Sequence, residues 1–259
     1  MSQSEIFYVE TGRESDLFSE VWRARLPLML KGPTGCGKTR FVEYMAARLN
    51  RPLITVACNE DTTATDLLGR HLLIGGDTVW TDGPVTRAVR EGAILYLDEV
   101  AEARADAIVV IHPLTDYRRE LFLDRTGETL HAPPEFMLVV SYNPNYQRSM
   151  RELKASTRQR FVAHTFGYPS EDAETRIITG ETGLEESIAR RLVGIASKVR
   201  NLTELTLLES VSTRLLVDAA KLINQGLPPR FAASAAIAEP LTDDVDALKA
   251  IRHVIDLTL

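Results

Sequence analysis

The sequence predicts an α/β fold: an αβα core around a parallel five-stranded sheet, followed by a small all-helical domain. Three observations carry this. As far as residue 169, short apolar runs alternate with helical patterns. A glycine-rich turn stands directly after the first of these runs. From residue 170 onward no strand pattern remains, and apolar residues recur at helical spacing.

Residues 26–30 read as a short buried strand, followed by the glycine-rich turn and a helix over 39–49. Further apolar strands are expected at 53–58, 93–97, 136–141 and 162–166. Strands that are apolar throughout and separated by helices belong in a parallel sheet covered on both faces. Two stretches interrupt the alternation. Leu72-Leu73-Ile74 and Thr78-Val79-Trp80 flank Gly75-Gly76-Asp77, which is a hairpin pattern. Residues 120–124 and 128–132, joined around Gly127, form a second. As decoration at the sheet edge, each has a purely structural explanation. Trp80 and Phe122 stand in these hairpins as surface or interface residues. In the C-terminal part, residues 188–199, 212–223 and 243–257 read as helices. The expected domains are 1–169 and 170–259.

The chain has 259 residues with 44% hydrophobic and 25% charged, enough to bury a real core in one large or two smaller domains. Its net charge of -6 argues against sequence-independent nucleic-acid binding, which needs excess Lys and Arg to displace counterions. No apolar run is long enough to span a bilayer. Residues 1–10 lack the basic start and apolar core of a secretory signal. Cys36 and Cys58 are too few for a disulfide framework, and the five histidines show no metal spacing. The expected location is cytoplasmic, with no membrane insertion.

Gly32-Pro33-Thr34-Gly35-Cys36-Gly37-Lys38-Thr39 fits the phosphate-loop pattern G-x-x-x-x-G-K-[ST]. The glycines let backbone N–H groups converge on phosphate oxygens, and the following helix, with Arg40 in its first turn, aims its positive end at them. Lys38 suits the β- and γ-phosphates, and the Thr39 hydroxyl suits Mg²⁺. The pattern alone arises by chance in roughly one chain in a hundred of this length. Its place between a strand and a helix is what makes ATP binding the stronger reading.

Ile94-Leu95-Tyr96-Leu97-Asp98-Glu99 is an apolar strand ending in two carboxylates. After a phosphate loop this is a Walker B pattern: Asp98 holds Mg²⁺ through water, and Glu99 acts as general base on the attacking water. Alone, such a pair is merely a strand leaving the core. Ser141-Tyr142-Asn143-Pro144 closes another apolar strand, so Asn143 can orient that water if the two strands are neighbours; alone, Asn-Pro is a turn signal. Ser156-Thr157-Arg158-Gln159-Arg160-Phe161 precedes the last strand. Arg160, with Arg158 as alternative, suits a finger reaching a neighbouring subunit's ATP site; alone, the segment is a solvated basic turn. Arg214, in Ser212-Thr213-Arg214 at a helix start, is the corresponding candidate in the helical part.

With these motifs in this order, the chain resembles the MoxR branch of AAA+ ATPases and, within it, the CbbQ/NirQ/NorQ group, CbbQ most of all. The segments LPLMLKGPTGCGKTRFVEYMA, RPLITVACNEDTTATDLLGRHLL, DGPVTRAVREGAILYLDEV, VVIHPLTDYRRELFLD, LVVSYNPNYQ, STRQRF and STRLLVDAAKLI carry the likeness. It extends over nearly the whole chain and is weakest in the first fifteen residues and the last thirty. The resemblance implies a hexameric ring ATPase with an αβα core and a helical lid. It implies a helix-2 insert at about 70–81 and a pre-sensor-1 hairpin at about 117–132, both facing the ring's pore or a partner. It also implies a partner with a von Willebrand factor A domain, CbbO-like or NorD-like. The implied clients are inhibited Rubisco, favoured here, or nitric oxide reductase.

Readings of other classes are a nucleic-acid motor, a P-loop kinase, and a scaffold that binds ATP without turnover. The acidic charge speaks against the first. A kinase needs an acceptor site and no arginine in trans. Glu99 speaks against the scaffold, which has no use for a general base.

Overall fold

The computed structural model describes residues 6–144, 153–202 and 209–259. Residues 145–147, the end of the segment LVVSYNPNYQ, lie outside them. The chain divides into two compact units. One, the sheet unit, comprises Gly12–Gly32 and Lys38–Thr165. The other, the helical unit, comprises Phe166–Leu259 together with Pro33–Gly37 and the chain up to Thr11.

The sheet unit runs α1 (Glu14–Arg23), β1 (Leu28–Lys31), α2 (Lys38–Arg48), β2 (Leu53–Ala57), α3 (Ala64–Leu68), β3 (Gly69–Ile74), β4 (Asp77–Asp82), α4 (Pro84–Glu91), β5 (Ile94–Asp98), α5 (Ala105–Val110), β6 (Glu120–Leu123), β7 (Glu128–His131), β8 (Met137–Tyr142), α6 (Ala155–Arg158) and β9 (Val162–Thr165). Five strands form one sheet in the order β2-β5-β8-β1-β9. Every neighbouring pair is parallel. Ile94, Leu95, Tyr96 and Leu97 of β5 are fully buried, as a central strand covered on both faces requires. All five expected strands are present, displaced by a residue or two at their ends. The first begins at Leu28 and not at residue 26, because Pro27 has no N–H for a ladder; its carbonyl accepts from the Val162 N–H at 3.1 Å.

Local punctuation places the Walker B strand. α4 opens with Pro84 at its first position and closes on Gly92, whose left-handed backbone (φ 64°) turns the chain straight into β5. Both expected hairpins form. β3 and β4 pair through the two-residue turn Gly75-Gly76, both at positive φ (63° and 96°), so Asp77 belongs to the strand and not to the turn. β6 pairs with β7. Trp80 is half-buried, donating to Asp82 at 2.6 Å with its ring edge-on to His71, while Phe122 is exposed.

The helical unit contains α7 (Glu171–Thr182), α8 (Glu186–Arg200), α9 (Thr213–Asn224), α10 (Pro229–Ala233), a π-turn at Ser234–Ala238, α11 (Glu239–Leu241) and α12 (Val245–Thr258). Its core joins Ile178, Leu192, Ile195, Leu216, Ile237 and Ile251. α7 is absent from the helices expected by periodicity, because its apolar stripe is short. Its ends hold it instead: the Ser170 hydroxyl accepts from the Ala173 N–H at 3.3 Å, and Gly183 closes it at φ 71°. No helix among the described residues is long and apolar enough to cross a membrane.

Candidate active site

The strand order sets the geometry. β8 lies between β1, which leads into the glycine-rich loop, and β5, which ends at Asp98. The loop delivers Lys38 and Thr39 as the first residues of α2. Thr39 Oγ1 donates to Asp98 Oδ2 at 3.2 Å. The Tyr96 hydroxyl donates to Asp98 Oδ1 at 2.7 Å and stands 3.4 Å from Thr39 Oγ1. The Ser141 hydroxyl, from the strand between, also donates to Asp98 Oδ1. The Asp98 carboxylate thus has three hydroxyls around it, which orient it and disperse its charge. A hydroxyl and a carboxylate converging at the head of a phosphate loop are oxygen donors of the kind Mg²⁺ takes, so these residues fit that ion.

Glu99 has a left-handed backbone, φ 54° and ψ 44°. For a residue with a Cβ this costs on the order of 1 kcal/mol. Two contacts hold it there: its N–H donates to Ser141 Oγ at 3.0 Å, and its carbonyl accepts from the Glu102 N–H at 2.9 Å. The turn swings Glu99 out of the strand direction at the point where Asp98 leaves the sheet. Asn143 follows β8 directly, so it stands beyond the strand between Asp98 and the loop. The neighbour relation that its sequence reading required is present.

The loop residues are distributed between the units. In the sheet unit, Lys38 Nζ donates to the Gly32 carbonyl at 2.9 Å. Arg40 lies 3.6 Å from Glu43 on the exposed side of α2. In the helical unit, Thr34 Oγ1 donates to Glu209 Oε1 at 2.9 Å. A Cβ on Gly35 (φ 69°) would lie 2.7 Å from Ser212 Cβ and 3.3 Å from Arg214 Cβ, so glycine is required there for space as well as for φ. Gly37 sits at φ 99°. Cys36, between Gly35 and Gly37, is buried; Pro33 completes this part of the loop.

Cys58 stands just past β2, and its N–H donates to the Asp98 carbonyl at 2.9 Å. Burial, with the nearby Asp98 and Glu99 charges adding, pushes its thiol up to about 12. The Tyr96 hydroxyl is likewise raised, chiefly by burial and then by Asp98. Both groups therefore stay protonated near neutral pH, and Tyr96 remains a donor to Asp98.

Arg158 is exposed on the last residue of α6, and Arg160 lies in the turn before β9. Arg160 Nη1 is 3.6 Å from Asp116 Oδ2. Asp116 also accepts from Arg118 at 2.7 and 3.1 Å, and that hydrogen bonding, first among the causes, holds its carboxyl below the usual range. Arg214 is exposed on the second residue of α9. Sequence reasoning assigned no part to Tyr96, Ser141 or Asp116. Tyr96 is two residues before Asp98 and shares its strand face, a signal that was available. Asp116 is distant in sequence from Arg160, and no local pattern joins them.

The sequence matches the AAA domain (dynein-related subfamily) over residues 27–161 and the CbbQ/NirQ/NorQ C-terminal domain over residues 174–258. It is 58% identical to the denitrification regulatory protein NirQ of Pseudomonas aeruginosa, covering 97% of this chain and 96% of that protein. It is 56% identical to the protein NorQ of Paracoccus denitrificans, covering 96% and 92%. It is 53% identical to the protein CbbQ of Hydrogenophilus thermoluteolus, covering 96% and 94%. Among solved structures it superposes on NtrX from Brucella abortus in complex with ADP, with a TM-score of 0.56 at 15% identity over 98% of this chain and 62% of that one, a likeness of fold. A parallel sheet in this strand order, a phosphate loop and near full-length relatives agree: the chain belongs to the CbbQ/NirQ/NorQ group of AAA+ ATPases.

Proposed function

We propose that the protein hydrolyses ATP with Mg²⁺ in a homo-hexameric ring and uses the energy to remodel a client protein. The observation that carries this is the convergence of Thr39, Tyr96 and Ser141 on Asp98, with Glu99 turned out beside it. The cluster suits Mg²⁺ with ATP, and Glu99 as general base suits turnover, for which a scaffold has no use. In this reading residues 1–169 are the core and 170–259 the lid.

Lys38 leaves the Gly32 carbonyl to meet the β- and γ-phosphates. Bound at Thr39 and Asp98, Mg²⁺ would supply positive charge against the phosphate oxygens. Glu99 takes a proton from the attacking water as its oxygen bonds to the γ-phosphorus and the bond to the ADP oxygen breaks. Asn143 orients that water. Arg160 of a neighbouring subunit, with Arg158 as the alternative, balances charge on the transferred group, and Arg214 is the corresponding arginine of the helical part.

The β3–β4 hairpin, with Leu73 77% exposed and Ile74 55% exposed at its tip, and the β6–β7 hairpin, with Phe122 exposed, suit contacts with a partner. That partner carries a von Willebrand factor A domain. The client is Rubisco blocked by a sugar phosphate or nitric oxide reductase. Rubisco is the first expectation; NirQ at 58% and NorQ at 56% support the second at least as well as CbbQ at 53% supports the first. The test adds ATP, this chain and its A-domain partner to each cognate client. Recovery of carboxylation assigns Rubisco, recovery of nitric oxide reduction assigns the reductase, and recovery of neither by an active ATPase complex overturns the remodelling of both clients.

A further inference from the structure

The helical unit buries a carboxylate for which the proposed chemistry has no use. Glu174 on α7 is fully buried. Arg200, the last residue of α8, grips it with two parallel bonds, Nη1 to Oε2 and Nη2 to Oε1, each 2.8 Å. Arg200 Nε donates to the Val211 carbonyl at 2.8 Å, and its guanidinium lies 4.2 Å from the centre of the Tyr168 ring. The remaining bond reaches α9: Thr213 Oγ1 donates to Glu174 Oε1 at 2.6 Å.

Thr213 is the first residue of α9 and Arg214 the second. The usual device for fixing a helix start is missing, since the Ser212 side chain makes no cap hydrogen bond. The start of α9 is tied down instead from beneath, through Thr213 to Glu174, and through the Val211 carbonyl to Arg200. It is also a place where position is critical, because Ser212 and Arg214 flank Gly35 at distances that leave no room for a methyl group. A buried ion pair is a poor source of net stability, because desolvating both charges offsets their attraction; fully satisfied, it specifies one arrangement.

We propose that Glu174 and Arg200 are positioning residues for Arg214: the pair pins Thr213 and thereby sets the direction in which α9 presents the arginine. This rests on the reading of Arg214 as a charge-balancing residue of the ATPase reaction. Glu174 and Arg200 touch no substrate; they act through the first turn of α9.

Removing Glu174 strands Arg200 in the interior and endangers the fold, so the test uses Thr213. Thr213→Val keeps the shape and the Glu174–Arg200 pair but loses the tie. Measured as steady-state ATP hydrolysis on the full chain, Thr213→Val is expected to lower kcat about tenfold, as befits a lost hydrogen bond to a carboxylate, with KM nearly unchanged. Thr213→Ser restores the hydroxyl and is expected to restore the rate. In an Arg214→Ala background, Thr213→Val is expected to cause no further loss, because it acts through the missing side chain. A Thr213→Val enzyme at the wild-type rate overturns the proposal, and so does an undiminished tenfold loss in the Arg214→Ala background, which marks a purely structural role. Arg214→Ala at the wild-type rate instead overturns the role of Arg214 itself, and this proposal with it.

Discussion

Ser141 accepts the Glu99 N–H at 3.0 Å and so holds that residue in a left-handed conformation. The same hydroxyl donates to Asp98. One side chain on β8 thereby holds the carboxylate that ends β5 and the backbone of the residue after it. Ser141→Ala removes both bonds without adding bulk. It is expected to lower ATP turnover roughly tenfold while nucleotide affinity stays within a few-fold, since the lost bonds hold Asp98 and the Glu99 backbone and not the residues that meet the phosphates. Turnover and the binding of a fluorescent ATP analogue check this; wild-type turnover removes Ser141 from the site.

Arg160, the proposed finger, lies 3.6 Å from Asp116, a carboxylate it shares with Arg118. Inactive Arg160→Ala subunits mixed with inactive Glu99→Gln subunits are expected to recover part of the ATPase activity, because some interfaces then join an intact site to an intact finger. Absence of recovery in assembled mixed rings means that Arg160 does not act across the interface. The same mixture made with Arg158→Ala tests the alternative.

The Cys58 thiol, pushed up to about 12 by burial and by Asp98 and Glu99, stays neutral in the folded chain. Alkylation at pH 8 followed by peptide mapping is expected to leave Cys58 unmodified until the protein is unfolded. Linkage gives a second signature. The unfolded chain loses this proton near the ordinary thiol value of 9.0 and the folded chain near 12, so the contribution is whole below pH 9 and declines as pH rises from 9 toward 12. Cys58→Ala is expected to flatten the fall of denaturation midpoint across that window.

Much of this site was legible in the sequence because it is built from local patterns. Gly32 to Thr39 and Ile94 to Glu99 are contiguous, and apolar runs between helical stretches imply the parallel sheet that aligns them. What stayed hidden is non-local or conformational. Ser141 was quoted within a motif, yet its bonds depend on β8 lying between β1 and β5. The positive φ of Glu99 leaves no trace in composition, since a glutamate is an unusual residue there. Glu174, Arg200 and Thr213 come from three different helices, and each alone reads as an ordinary helical residue. α1 and α7 leave little trace because their stripes are short; α7 is held by its caps, and α1 by the burial of Phe18 and Val21.

The central claim is that Glu99 is the base of a Mg-ATPase whose phosphates Lys38 grips. The most direct measurement compares nucleotide binding and phosphate release for the wild type, Lys38→Ala and Glu99→Gln. Lys38→Ala is expected to abolish binding, since it removes the ammonium that the loop positions over Gly32. Glu99→Gln keeps the shape and loses the base, so it is expected to bind ATP like the wild type and to release phosphate at least a hundredfold more slowly. Glu99→Gln turning over at the wild-type rate, or Lys38→Ala binding with wild-type affinity, contradicts the account.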